Sequence, residues 1–321
     1  KSEIKSASFA LKKIEKIKGT EFFQKAFMEM VKEISEYYAT SMGSALNALA
    51  PDYILENIGK LKVEKRSDEI KEKTKTIEEK YAVQGDDEER YSTWKSLIRQ
   101  EFAKKKSILF IMPTIEDAEH AFKLLEKGVE GYAFILHGSY SSKEIVEKWN
   151  NIMKEKHPVV VIATGGFLSL PRGDIETIVV EKESSKAYKI PRRPFLDIRH
   201  AAEVLADKKK IKIFFSDNLL RMETLWRESG EEGGGEIVQA SPFKFRSLST
   251  ATDTLIDMKA YKRRANDAEK DFAILSTELE ELISHTKDES EHMIILVSRR
   301  GLSPSTICGD CQNIVVCNNC S

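Results

Sequence analysis

SILFIM (107–112), AFILH (133–137) and VVVIAT (159–164) are short apolar runs rich in β-branched and aromatic residues, and TIVVE (177–181) and IKIFFS (211–216) continue the series. Between them lie stretches of helical periodicity at 115–127, 141–155 and 197–208. A strand that is apolar on both faces and alternates with helices belongs in a parallel sheet covered on both sides. The pattern predicts an α/β fold, a doubly wound parallel sheet over about residues 85–250.

Outward from that core the texture changes. Residues 1–55 form a separate N-terminal segment that reads as helical over 1–50. Phe22, Phe23, Ala26, Phe27, Met30, Val31 and Ile34 recur at three- and four-residue spacing until Pro51 breaks the segment. Residues 56–84 read as a charged helical linker, in which KVEKRSDEIKEKTKTIEEK interleaves both signs, and the charged texture runs on to 106. After the sheet, EEGGGE (231–236) and SPFKFRSLSTAT (241–252) read as a linker or surface loop. TLIDM (254–258), a helix at 266–286 and MIILVS (293–298) then predict the start of a second α/β unit over 251–306.

Lys and Arg (51) nearly cancel Asp and Glu (52), so net charge carries no nucleic-acid signature and any such contact must come from local patches. No apolar run approaches the ~20 residues that span a bilayer, and the first residues lack a signal-peptide core. The expectation is a cytoplasmic protein with no membrane partner. The chain begins without Met and stops one residue after its last Cys, and so reads as a piece of something longer.

The four cysteines stand as CGDCQNIVVCNNC in the segment 307–321. Cys308, Cys311, Cys317 and Cys320 make a CxxC-x5-CxxC pattern, a zinc signal because a two-residue gap aims both thiolates of a knuckle at one tetrahedral ion. The expected use is structural. Two arrangements stay open, one ion taking all four thiolates or each pair serving a separate ion completed by cysteines beyond Ser321, because five residues are few for folding both knuckles onto one metal.

VSRRGLSPSTICGDC (297–311) together with the double knuckle resembles primosomal protein N′, a replication-restart helicase of superfamily II, at Arg299, Arg300, Gly301, Pro304 and the four cysteines. Further blocks follow in order. LHGSYSSKEIVEKWNNIMKEKHPVVVIATGGFLSLP carries the likeness at His137, Trp149, Thr164, Phe167 and Pro171. IVVEKESSKAYKIPRRPFLDIRHAAEVLA carries it at Tyr188, Lys189, Arg193, Phe195, Asp197 and Arg199. LIDM (255–258) is similar to the family's entry into its second lobe. FFQKAFMEMVKEISEYYATSMGSALNALAP resembles the end of its DNA-gripping N-terminal domain, at Tyr37, Tyr38 and Gly43. The resemblance implies a RecA-like helicase lobe 1, the start of a lobe 2 with a zinc-binding insertion, partners in forked or single-stranded DNA and other primosome proteins, and ATP-dependent 3′–5′ unwinding.

The ATP motifs depart from the family. A working phosphate loop needs glycines whose amides cradle phosphates, a Lys, and a Ser or Thr for Mg²⁺. Here QGDDEERYSTWKSL (84–97) leaves Gly85 and Ser92 as the remnants of cofactor binding, with Asp86, Asp87, Glu88 and Glu89 where triphosphate would sit. The Walker B block reads Glu181-Lys182-Glu183-Ser184, leaving Glu181 for Mg²⁺ and Glu183 for a water as the catalytic remnants. The family's Gly-Ser-Ala-Thr appears as SDNLLRMET (216–224). These motifs put ATP and Mg²⁺ in doubt as cofactors. The DNA-facing candidates are Lys186, Tyr188, Lys189, Arg192, Arg193 and Arg199, cations interleaved with Tyr188 and Phe195. Three readings stay open: a DNA-binding restart factor with a degenerate ATPase, an active helicase, and a zinc-stapled interaction scaffold.

Overall fold

A computed structural model describes residues 22–63, 79–229, 235–240, 254–257, 275–296, 306–307 and 314–315. Two compact units divide the chain, Lys1–Ser247 and Leu248–Ser321.

The first unit opens with three helices, α1 (Lys25–Tyr37), α2 (Met42–Leu49) and α3 (Asp52–Leu55). Pro51 ends the preceding run and itself caps α3. Strands and helices then alternate: β1 (Lys80–Gln84), α4 (Asp87–Ala103), β2 (Ser107–Met112), α5 (Ile115–Leu125), β3 (Ala133–Leu136), α6 (Ser142–Lys154), β4 (Val160–Thr164) and β5 (Ile175–Glu181). The unit closes with α7 (Ile198–Lys209), β6 (Lys212–Asp217), α8 (Met222–Glu228) and β7 (Ile237–Gln239). The seven strands form one sheet in the order β3-β4-β2-β5-β6-β1-β7, and every pairing is parallel. The expected α/β, doubly wound parallel sheet is therefore present.

Alternate residues of each strand feed two cores, as the period of two requires. Leu109, Ile111, Val161, Ala163, Ile178 and Val180 pack on one face with α1, α2, α6 and α7. Ile108, Phe110, Met112, Val160, Ile162 and Val179 pack on the other with Tyr91, Trp94 and Ile98 of α4 and Ala118, Ala121 and Leu125 of α5. The N-terminal helices thus cover one face of the sheet. Their approach is close: a Cβ on Gly166, just after β4, would lie 2.8 Å from the Pro51 ring.

Two expectations need correction. The charged linker 56–84 ends in β1, an inner strand held between β6 and β7, where Ala82 and Val83 are buried; residues 64–78 lie outside the described residues. In the second unit the helix is α9 (Thr277–Asp288), and residues 293–296 of the expected MIILVS strand are unpaired among the described residues, with Ile294 86% and Leu296 92% exposed. That unit also holds a two-residue antiparallel pair, β8 (Thr306–Ile307) with β9 (Ile314–Val315). Among the described residues no helix is long and apolar enough to cross a membrane.

Candidate nucleotide-site remnant and nucleic-acid interface

β1, β5 and β6 are neighbours, and their carboxyl ends meet in register: Val83 faces Ser216, and Ser216 faces Glu181. Ligands of open parallel sheets bind at such ends. Here the space is taken by the protein itself. Only Gly85 and Asp86 separate the end of β1 from the start of α4, so there is no long loop whose amides turn inward. The Gly85 amide donates to the Asp217 carbonyl at 3.2 Å. The Asp86 side chain caps α4 by accepting from the Glu89 amide at 2.9 Å, and Asp87, Glu88 and Glu89 fill the first turn. The positive end of this helix is already matched by its own carboxylates.

Arg90, one turn further on, is 1% exposed and points beneath the helix start. Its Nε donates to Oε1 of Glu181 at 2.8 Å, its Nη1 to the Gly85 carbonyl at 2.5 Å and its Nη2 to Asp87 at 2.6 Å. The other Glu181 oxygen accepts from the Trp94 indole N–H at 2.9 Å and the Ser216 hydroxyl at 2.6 Å. Glu181, fully buried, is thus bonded by an Arg, a Trp and a Ser, and faces no open space for a divalent cation. Ser92 lies apart from this cluster, exposed on the outer face of α4.

The residues that follow Glu181 are also engaged structurally. Lys182, at φ 53°, turns away to Asp117 at 2.6 Å, and that hydrogen bond raises its pKa. Glu183 is buried and acts at the start of α8, accepting from the Arg221 amide at 2.9 Å and the Thr224 hydroxyl at 2.8 Å. Burial pushes its carboxyl above the usual carboxylate range. Asp217 fixes the adjoining turns through the amides of Ser184 and Asn218, both at 2.7 Å.

The basic stretch after β5 splits into an inner and an outer set. Tyr188 is 1% exposed, and its hydroxyl lies 2.7 Å from the Ile111 carbonyl and 2.5 Å from that of Glu181. Arg199 is 4% exposed, bidentate on Asp197 at 2.8 and 2.6 Å, and also donates to the Glu183 carbonyl. Both were candidates for DNA contact; both instead hold the stretch against the sheet. Lys186, Lys189, Arg192 and Arg193 are exposed. A turn closed by the Phe195 amide on the Arg192 carbonyl at 2.7 Å carries Arg192 and Arg193 outward, above a bridge between Lys189 and Asp197. Phe195, at φ 55°, is 59% exposed. An aromatic in the left-handed region and in solvent is a strained placement that often accompanies function.

No family model matches the chain. Among curated proteins, Replication restart protein PriA of Rickettsia felis is 23% identical over 310 residues, covering 92% of this chain and 46% of that protein. The chain is similar to replication restart proteins. The PriA of Helicobacter pylori is 22% identical over 99% of this chain and 49% of its own length, and that of Borreliella burgdorferi is 24% identical over 68% and 31%. The chain spans about half the length of the first two of these relatives. Among solved structures, the C-terminal domain of S. cerevisiae Dbp5, bound to Gle1 and IP6, covers 51% of the chain at a TM-score of 0.37 and 14% identity, too loose a likeness to define the fold.

Arg90 and Trp94 have no special standing as letters. Their signal is spacing: with Asp87 they stand at i, i+3 and i+7 on one side of a helix whose opposite side is polar. Cys308, Cys311, Cys317 and Cys320 lie outside the described residues, as do Arg299, Arg300, Gly301 and Pro304. Ile307, the residue before Cys308 in the sequence, pairs with Ile314.

Proposed function

We propose that this chain is a DNA-binding, helicase-like factor of replication restart, in which the place of nucleotide and magnesium is filled by the protein's own side chains. The observation that carries the reading is the buried Arg90–Glu181 pair. Magnesium binds through carboxylate and phosphate oxygens, and reaching Glu181 means expelling Arg90 from its carboxylate and from the Gly85 carbonyl. Breaking a buried pair costs about 3–5 kcal/mol, with no glycine loop present to repay it by holding phosphates. Hydrolysis through Glu181 and Glu183 is accordingly absent or slow.

DNA contact rests on Lys186, Lys189, Arg192 and Arg193 for phosphates and on Phe195 for stacking against an unpaired base. Forked or single-stranded DNA and other primosome proteins are the partners this reading assigns. Zinc at Cys308, Cys311, Cys317 and Cys320 supplies folding energy to a segment too short for its own core.

The test combines nucleotide and DNA binding on the same preparation. Expected are no saturable Mg–ATP binding, no turnover with forked DNA, and single-strand affinity that falls with salt. The joint Arg192→Ala, Arg193→Ala variant lowers the log–log salt slope by about 1.4, two phosphate contacts at ~0.7 each. ATP turnover that Glu183→Gln abolishes overturns the reading in favour of an active helicase.

A further inference from the structure

A cavity of about 250 Å³ opens where α1 meets α7 and α8. Its lining shares Glu183 with the cluster described above but includes none of Arg90, Trp94 or Glu181. Its wall holds three carboxylate–guanidinium pairs and a fourth carboxylate, Glu183, which is bonded to the Arg221 amide and the Thr224 hydroxyl. Asp197 holds Arg199 at 2.6 Å, Glu223 holds Arg221 at 2.7 Å, and Glu203 holds Arg227. Every guanidinium in the wall already has a carboxylate, so an anionic ligand would have to displace one. The wall disfavours phosphate and suits a neutral molecule with donors and acceptors along its edge.

The rim is aromatic. Tyr37 of α1, 71% exposed, stands edge-on to the ring of His200 on α7 at 4.4 Å, and Tyr38 lies 5.8 Å from the same ring. Neither the Tyr37 hydroxyl nor the His200 imidazole has a hydrogen-bond partner among the described residues. Sites for whole drug-sized ligands run from about 300 to 1,000 Å³. The smaller volume here suits one planar ring system.

We propose that this cavity takes an unpaired nucleobase of single-stranded DNA, its face against the exposed Tyr37 ring, which His200 holds edge-on, and its edge toward the paired charges. The inference rests on the DNA reading above. Asp197 lines the cavity and also bridges to Lys189 at the foot of the loop carrying Arg192, Arg193 and Phe195, so the cavity begins where the basic loop ends. A strand with phosphates on that loop would offer its next base to the rim.

The experiment compares an intact single strand with the same length of abasic deoxyribose phosphate, across a salt series, on the full chain. The intact strand is expected to bind more tightly. In Tyr37→Ala and His200→Ala that preference falls by about tenfold, the scale of one stacked base, while the salt slope is unchanged. Arg192→Ala weakens both strands alike. Equal binding of intact and abasic strands, with salt dependence intact, overturns the cavity and the Phe195 stack and leaves the phosphate contacts of the DNA reading standing. An unaltered preference in both rim variants places the base contact elsewhere and also overturns it. Loss of salt-dependent binding altogether overturns both readings.

Discussion

Glu181 shows how one carboxylate changes meaning with its neighbours. In a sheet whose first connection is a glycine loop, such a residue faces a metal; here Arg90, Trp94 and Ser216 close on it. Arg90→Ala leaves a buried carboxylate short of its countercharge, and denaturant unfolding is expected to show a loss of about 3–5 kcal/mol. Pairing it with Glu181→Gln recovers a large part of that loss, because the neutral amide needs no partner cation. Additive losses in the double variant would show that the two side chains do not act as a pair. His137 gives a second residue-scale expectation. It is 1% exposed, its Nδ1 meets the Ser139 hydroxyl at 2.9 Å, and its Nε2 is buried without a hydrogen-bond partner. Burial holds its pKa below 6.5, against the opposing pull of Glu119. The unfolded chain then takes a proton near pH 6.5 that the folded chain refuses, so stability falls as pH drops below that value. His137→Phe keeps the stack on Tyr140 and flattens the stability profile between about pH 6.5 and pH 5; an unchanged slope there would assign the acid limb to other groups.

At the scale of elements, the sequence was most legible where burial is two-sided. β2 to β6 are apolar throughout or nearly so, and the strands fall within about two residues of the quoted runs. β1 escaped because its signal is tertiary. KYAVQ follows a charged run, buries just Ala82 and Val83, and becomes an inner strand through neighbours distant in the chain. The reverse failure is MIILVS: apolar residues make a strand only when a partner strand is present, and 293–296 have none among the described residues. At the site, the letters show one glycine followed by four acidic residues, whereas the pairing of Arg90 with Glu181 depends on a helix beginning just after β1 and is not legible in them. Tyr188 and Arg199 read as a stacking platform and a phosphate contact, because composition cannot tell a cation aimed at solvent from one folded under its own loop. The seam between α3 and the end of β4 is equally invisible in sequence, and it yields a measurable contrast. A side chain at Gly166 meets Pro51 at 2.8 Å and the Tyr53 hydroxyl at 3.1 Å, so Gly166→Val costs roughly 1–3 kcal/mol of overpacking. Gly43 inside α2 has nothing within 4 Å, so Gly43→Ala gains roughly 0.5–1 kcal/mol. Equal effects of the two changes would mean that the N-terminal helices are not seated on the sheet.

For the molecule as a whole, the division at Ser247 and Leu248 sets what should unfold together. Two cores on either face of one sheet, with α1 and α2 sharing the first, make Lys1–Ser247 a single cooperative body. The second unit's described elements are α9, with no buried residue, and the four-residue β8–β9 pair, which is little apolar burial from which to draw stability. If the cysteines hold zinc, chelation should abolish order around β8 and β9, seen as lost amide protection, and leave the main unfolding transition in place. Loss of the whole transition on chelation would contradict that division. Ligands provide the complementary measurement, because whatever binds the folded chain alone stabilises it by RT ln(1 + [L]/Kd), about 2.7 kcal/mol at a hundredfold excess over Kd. Single-stranded DNA, meeting the outer cations and Phe195 of the first unit, should raise the main transition and lose that effect at high salt. Mg–ATP at millimolar concentration should leave it unmoved, because its place between β1 and β5 is already held by a guanidinium. A transition raised by Mg–ATP and left alone by DNA would invert the argument and make the Arg90–Glu181 pair a gate that nucleotide opens.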